Sequence, residues 1–113
     1  MQKYLVDHRD LLFTLFEFLE VDKMNRFRRF ENFDRAVYEE TIRLAEKIAA
    51  ESVFPANVTG HREGCHYDPQ TRSVRLPSGY PAAAKALFDA GFLSISDDQE
   101  IGGAGMPLAI QSC

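Results

Sequence analysis

The chain is short of positive charge, short of cysteine and without a long apolar run. Its 13 Lys and Arg residues stand against 17 Asp and Glu, a formal net charge of −4. Binding to nucleic acid or anionic lipid draws on an excess of cationic side chains gathered on one face, so neither partner is indicated. The two cysteines, Cys65 and Cys113, lie far apart, and the second is the last residue. A structural disulfide is therefore not expected, and two free thiols fit a reducing, cytoplasmic compartment. Thr14, Glu17 and Glu20 interrupt the most apolar stretch, so no transmembrane segment is expected. No basic segment followed by a small-residue cleavage site opens the chain, and no secretory signal is expected.

What is present is helical periodicity. With 113 residues, 45% hydrophobic and 27% charged, the sequence has the length and composition of one soluble globular domain spanning 1–113. The expected fold is all-α: about four to five helices, a long irregular loop and room for a short β-hairpin. Residues 1–33 comprise a lead-in and greasy helices, and residues 34–113 the core helical part. After an extended stretch over 1–8, Asp10 is placed to cap a helix reaching about Glu20. Leu11, Leu12, Phe13, Leu15, Phe16, Phe18 and Leu19 leave it only a narrow polar stripe, so something must cover its other sides. Asp22 to Phe33 reads as a second packed helix, with Phe27, Phe30 and Phe33 along one side and Lys23, Arg26, Arg28 and Arg29 in solvent.

Asp34 is the expected cap of the most regular helix, which reaches about Val53. Tyr38, Ile42, Ala45, Ala49 and Val53 recur at spacings of four and three and so share one face. Glu39 and Arg43 form a favourable i,i+4 pair on the solvated side. Pro55 is expected to end this helix, because the residue before a proline is pushed away from helical dihedrals. From Pro55 to Ser78 no helical period is visible, although Arg72 to Leu76 could form a short strand after an Asp68-Pro69 turn. Ser78 is the expected cap of the next helix, with Pro81 in its first turn. Gly91 is the expected left-handed stop, with Phe92 packing back on Leu87. After the acidic, glycine-rich stretch from Asp97 to Pro107, Pro107 can open a last helix through Leu108 and Ile110, a stub too short to be stable in isolation.

Few residues suggest chemistry. His61, Cys65, His66 and Asp68 are the one metal-capable grouping, but the spacing lacks the paired ligands of a zinc site, and no metal is expected. A Cys65 nucleophile paired with His61 or His66 lacks an orienting third group and oxyanion donors. Gly102-Gly103-Ala104-Gly105 has neither the G-K-[ST] ending of a P-loop nor a completed G-x-G-x-x-G, so its local reading is a flexible turn with positive φ.

Landmarks along the chain nevertheless run in a distinctive order. Tyr4, Arg9-Asp10, Phe13, Leu15 and Glu17 are followed by Pro55, Asn57 and Gly60 to Gly64, then by Pro77, Gly79, Ala90-Gly91-Phe92, Gly102-Gly103, Gly105 and Pro107. In these the chain resembles the N-terminal helical domain of the acyl-CoA dehydrogenase family, in its long forms with an N-terminal extension. The resemblance covers nearly the whole chain. It departs at His61, where an acidic residue is common, and at Phe16, where asparagine is frequent.

The resemblance implies a longer architecture: this helical domain, a β-barrel middle domain and a C-terminal helical bundle, acting on acyl-CoA as a homo-oligomer. In that family a carboxylate takes the α-proton of the thioester while the β-hydrogen leaves as hydride to FAD. FAD is held mainly by the two later domains, and the base lies there too. The chain is thus expected to stop before both, with its last helix incomplete, and to carry no catalytic residue, no flavin contact and no bound FAD of its own. Glu100, Gly102, Gly103, Gly105, Met106 and Pro107 are expected on the substrate-pocket side. The alternative is a free-standing helical interaction module docking through Leu12, Phe16 and Leu19.

Overall fold

A computed structural model describes residues 6–113, so most of the lead-in over 1–8, Tyr4 included, lies outside the described residues. The first helix, α1 (His8–Leu12), is capped by Asp7 rather than Asp10. Asp7 has the extended backbone a cap requires, and its carboxylate accepts the Asp10 N–H at 3.1 Å. Helical dihedrals continue through a wider π-type stretch, Phe13–Phe18, until Glu20 at φ 52 reverses the chain. Leu15 and Phe16 point inward, while Phe13, Phe18 and Leu19 stay exposed.

The second helix expected over Asp22 to Phe33 is instead two short 3-10 turns, Val21–Arg26 and Arg28–Phe30, separated by Phe27 in an extended conformation. That break removes the common face. Phe33 enters the core and Phe30 is half-buried, but Phe27 faces solvent beneath the Arg26 guanidinium, 4.9 Å from its ring centroid.

The most regular helix, α2 (Arg35–Ile48), starts as its sequence predicts, with the Asp34 carboxylate accepting the Val37 N–H at 3.0 Å. Glu39 sits between Arg35, at 2.7 Å, and Arg43, at 3.9 Å. Pro55 does not end the helical path. A π-type stretch, Ala49–Val53, follows α2, and α3 (Phe54–Glu63) continues from it with Pro55 in its first turn. In the wider register the Phe54 N–H reaches back to Ala49, and Phe54 keeps helical dihedrals despite the proline that follows. Proline lacks an N–H and is tolerated where the ordinary i+4 ladder is already interrupted.

Gly64, at φ 71, ends α3 and opens a hairpin of β1 (His66–Asp68) and β2 (Ser73–Arg75), paired antiparallel with Tyr67 opposite Val74. Its turn is built as expected from Asp68, whose carboxylate accepts the Gln70 N–H and the Thr71 hydroxyl. The long loop expected from Pro55 is therefore a helix and a hairpin. α4 (Tyr80–Asp89) follows, with Gly79 at its cap position and Pro81 in its first turn. Ser78 does not cap it; its N–H and hydroxyl both go to the Glu63 carboxylate. Gly91 closes α4 at φ 79, and α5 (Leu108–Gln111) begins after Pro107.

One core joins both ends of the chain. Leu15, Phe16, Val21, Phe33, Tyr38, Ile42, Ile95 and Ile110 are buried together. Phe16 and Phe33 flank the fully buried Tyr38 ring at centroid distances of 6.5 and 5.9 Å. Each such side chain contributes about 1.5–3 kcal/mol on full burial. Ile110 lies in this core at 5% exposure, which is why the short α5 holds where an isolated stub would not. Coverage elsewhere is thin: the accessible surface of 8521 Å² exceeds the about 6300 Å² usual for this mass. Among the described residues no helix is long and apolar enough to cross a membrane.

Candidate functional site

The glycine-rich stretch is built on the segment after α4. Phe92–Ser94 makes a short turn and Ile95 enters the core. Asp97 to Pro107 then folds back over the same backbone. The N–H groups of Gly103, Ala104, Gly105 and Met106 donate to the carbonyls of Asp98, Ser94, Asp97 and Ile95, all within 2.9–3.1 Å. Gly102 and Gly105 take the positive φ values expected of them, 93 and 72. Gly103 is required for space: a Cβ there would collide with the Asp97 backbone carbonyl and lie 2.6 Å from the Asp97 Cβ. The flexible turn read from local residues is thus a hydrogen-bonded knot.

That bonding tests the loop as a flavin or phosphate cradle. The Gly102 N–H is also used, by the Gln99 carbonyl at 3.1 Å, so every N–H from Gly102 to Met106 is taken internally. A pyrophosphate needs such groups free and convergent. The loop does not fit FAD as a site of its own.

The six residues predicted for the substrate side divide between surfaces. Glu100 and Gly102 are exposed, Gly105 and Pro107 are buried, and Met106 packs against the core cluster. Glu100 and Gly105 border an open polar depression of about 550 Å³ with Arg28, Arg29, Asp98 and Gln99, across which Arg29 and Asp98 pair at 2.6 Å.

The apolar space lies elsewhere. A cavity of about 320 Å³ is lined by Ile42 and Ala45 of α2, by Ala49 and Val53 of the π-type stretch after it, by Leu87, Phe92 and Ile95, by Val6 and Leu11, and by Ile110, Gln111 and Cys113. Thr41 and Glu46 are its other polar neighbours. A second apolar groove, of about 390 Å³, shares Val53 and Leu87 with it and extends past Ala56, Leu76 and Tyr80. None of the six predicted residues lines either. The stripe at spacings of four and three from Tyr38 to Val53 was the signal for this cavity, since four of its five members line it.

Two of the four metal-capable residues serve local structure. His66 bonds the Glu63 carbonyl through Nε2 at 2.9 Å, and Asp68 holds the hairpin turn. No group of three or more metal-capable side chains forms among the described residues, and Cys65 and Cys113 are free and exposed. Burial is the first cause, and the negative charge of Asp22 the second, that pushes the Tyr38 phenol above its ordinary pKa. The Ser78 N–H and hydroxyl hold the Glu63 carboxyl below the ordinary carboxylate range.

No protein-family model matches the sequence. Against curated proteins, the chain is 37% identical over 114 aligned positions to the broad-specificity linear acyl-CoA dehydrogenase FadE5 of Mycobacterium tuberculosis. The alignment takes in 97% of this chain and 18% of that protein's length.

Proposed function

We propose, for a chain that matches one region of an acyl-CoA dehydrogenase and belongs to that family, that it serves as the N-terminal helical domain of an FAD-dependent enzyme oxidising acyl-CoA thioesters. In this reading it borders the acyl-chain site on the side of Glu100, Gly102, Gly103, Gly105, Met106 and Pro107 and has no dehydrogenase activity alone. The observation that carries the reading is similarity along 97% of the chain. The relative's name assigns it linear acyl-CoA substrates; since the chain spans 18% of that length, substrate, FAD and homo-oligomeric assembly enter as parts of this proposal. Action in the cytoplasm is part of it too.

Two structural features support a contributory role. The glycine loop is rigidly bonded, as a wall should be, and its N–H groups are consumed internally. The surface of 8521 Å² leaves large apolar side chains such as Phe18 and Phe88 exposed at 74% and 67%, as suits a domain that packs on others. The test is to purify the 113-residue chain, record visible flavin absorbance and assay acyl-CoA oxidation with an artificial electron acceptor. Absence of both is expected; tight FAD binding with turnover would overturn the inactivity of the isolated chain.

A free-standing interaction module is the second reading, favoured by the exposure of Phe13, Phe18 and Leu19. Of the residues first considered for docking, Phe16 is buried against Tyr38 and Leu12 is half-buried, which leaves Leu19. A protein that elutes as a monomer and binds no apolar dye would count against this module.

A further inference from the structure

We propose that α1 is a strap across the apolar cavity, latched by His8 to Glu46 and hinged at Leu12–Phe13. Val6 and Leu11 both line the cavity, and His8 lies between them in the chain. The His8 Nδ1 is 2.7 Å from Oε1 of Glu46, a residue of α2 that itself lines the cavity. The latch therefore stands at the rim, where strap and floor meet. Among the described residues it is the one side-chain hydrogen bond joining α1 to α2.

Apart from that contact the strap is held by Leu11 and Leu12, which are half-buried against the edge of the core. α1 has five residues, none of them buried, and a helix so short does not persist without tertiary support. Its far end is different. The Phe13 N–H is divided between the Arg9 and Asp10 carbonyls, and beyond it the register widens until the Leu19 N–H reaches Thr14. Leu15 and Phe16, immediately after this change of register, are anchored in the core at 2% and 5% exposure. Movement about Leu12–Phe13 can thus free Val6 to Leu11, lifting Leu11 from the edge of the core while Leu15 and Phe16 stay buried. Opening would admit an apolar solute to a cavity of about 320 Å³, within the size range of small-molecule sites.

Nile red, a neutral apolar dye, is the probe, used with the 113-residue chain at one fixed pH. Loss of the latch in His8→Ala is expected to raise dye binding roughly three- to tenfold, the change corresponding to one lost hydrogen bond. Arg9→Ala, on the same helix but outside the latch, should leave it unchanged. His8→Gln, which keeps a donor for Glu46, should stay close to the unaltered chain. Adding Ala45→Leu to His8→Ala fills the cavity and should abolish the gain. Equal dye binding by His8→Ala and Arg9→Ala would overturn the strap, as would a gain that survives Ala45→Leu. If His8→Ala does not fold, hydrogen exchange on the unaltered chain decides. The Leu11 and Leu12 amides should open while those of Ile42 and Ala45 stay protected, and simultaneous opening of both sets would refute the hinge.

Discussion

The carboxylate of Glu63, the last residue of α3, accepts hydrogen bonds from both the backbone N–H and the hydroxyl of Ser78, fifteen residues on, each at 2.9 Å. The pair clamps the base of the hairpin and sets the approach of α4. Because these donors favour the charged carboxylate, the Glu63 pKa lies below its ordinary range in the folded chain. The unfolded chain then binds a proton more readily than the folded one, so this contribution is present above the unfolded pKa and is lost as pH falls through the folded value. Urea midpoints measured from about pH 5 down to about pH 3 should fall more steeply for the unaltered chain than for Glu63→Gln. The comparison isolates Glu63 from Asp68, whose own lowered pKa is common to both proteins. Parallel curves would show that the clamp does not titrate as described.

Gly60 packs beneath Tyr80 so closely that a Cβ would lie 2.9 Å from the ring Cζ and nearer still to Cε1. Gly60→Ala should therefore destabilise the chain by about 1–3 kcal/mol through overpacking, even though alanine is the better helix former. In a Tyr80→Ala background the same change should cost little or become favourable. A double-mutant cycle by chemical denaturation measures the coupling, and additive effects would rule out the contact as the cause.

The glycine loop separates two reasons for needing glycine. At Gly102, φ is 93 but nothing lies within 4 Å of a Cβ, so Gly102→Ala should cost about 1–2 kcal/mol in backbone strain. At Gly103 the obstacle is the backbone of Asp97, which cannot rotate away, so Gly103→Ala should cost about 3 kcal/mol or more or dismantle the loop. Denaturation midpoints rank the two, and hydrogen exchange at Ala104 and Met106, whose N–H groups close the knot, shows whether the loop survives.

Tyr38 is wholly buried, yet its hydroxyl finds no hydrogen-bond partner among the described residues. Tyr38→Phe should therefore change stability by about 1 kcal/mol or less, toward stabilisation, whereas Tyr38→Ala should cost about 3–5 kcal/mol. The raised pKa adds a pH signature. The folded chain holds the phenolic proton longer than the unfolded one, so stability is lost as pH rises above the ordinary tyrosine value of about 10. Alkaline unfolding monitored by circular dichroism should accordingly be less steep for Tyr38→Phe.

Local chemistry was legible at most positions where one residue satisfies its own neighbourhood, the cap of α1 (Asp7 in place of Asp10) being an exception. Asp34 caps α2, Asp68 makes its turn, Gly91 stops α4 and Pro107 precedes α5, each acting within about one turn of backbone. The apolar stripe through α2 and the π-type stretch after it was readable for the same reason, because helical period brings Ile42, Ala45, Ala49 and Val53 to one cavity. The order of landmarks also carried the family, which 37% identity to an acyl-CoA dehydrogenase bears out.

Tertiary structure decided the points at which two local rules competed or a distant group intervened. Pro55 stays within a helical path because the backbone register has already widened ahead of it, something no pairwise rule for the preceding residue contains. Ser78 carries the chemistry of a cap, but Glu63 takes its hydroxyl from across the hairpin. The same holds for the glycine loop: composition requires positive φ at some of its residues, while the need for glycine at position 103 comes from Asp97 folding back upon it. The sequence by itself thus determined that the α2 and α4 segments coil, where several elements begin and stop, and which family they resemble, since these depend on contacts within a few residues. Which faces meet, and where the apolar cavity opens, depended on side chains brought together from opposite ends of the chain, a term that appears only once the backbone has closed on itself.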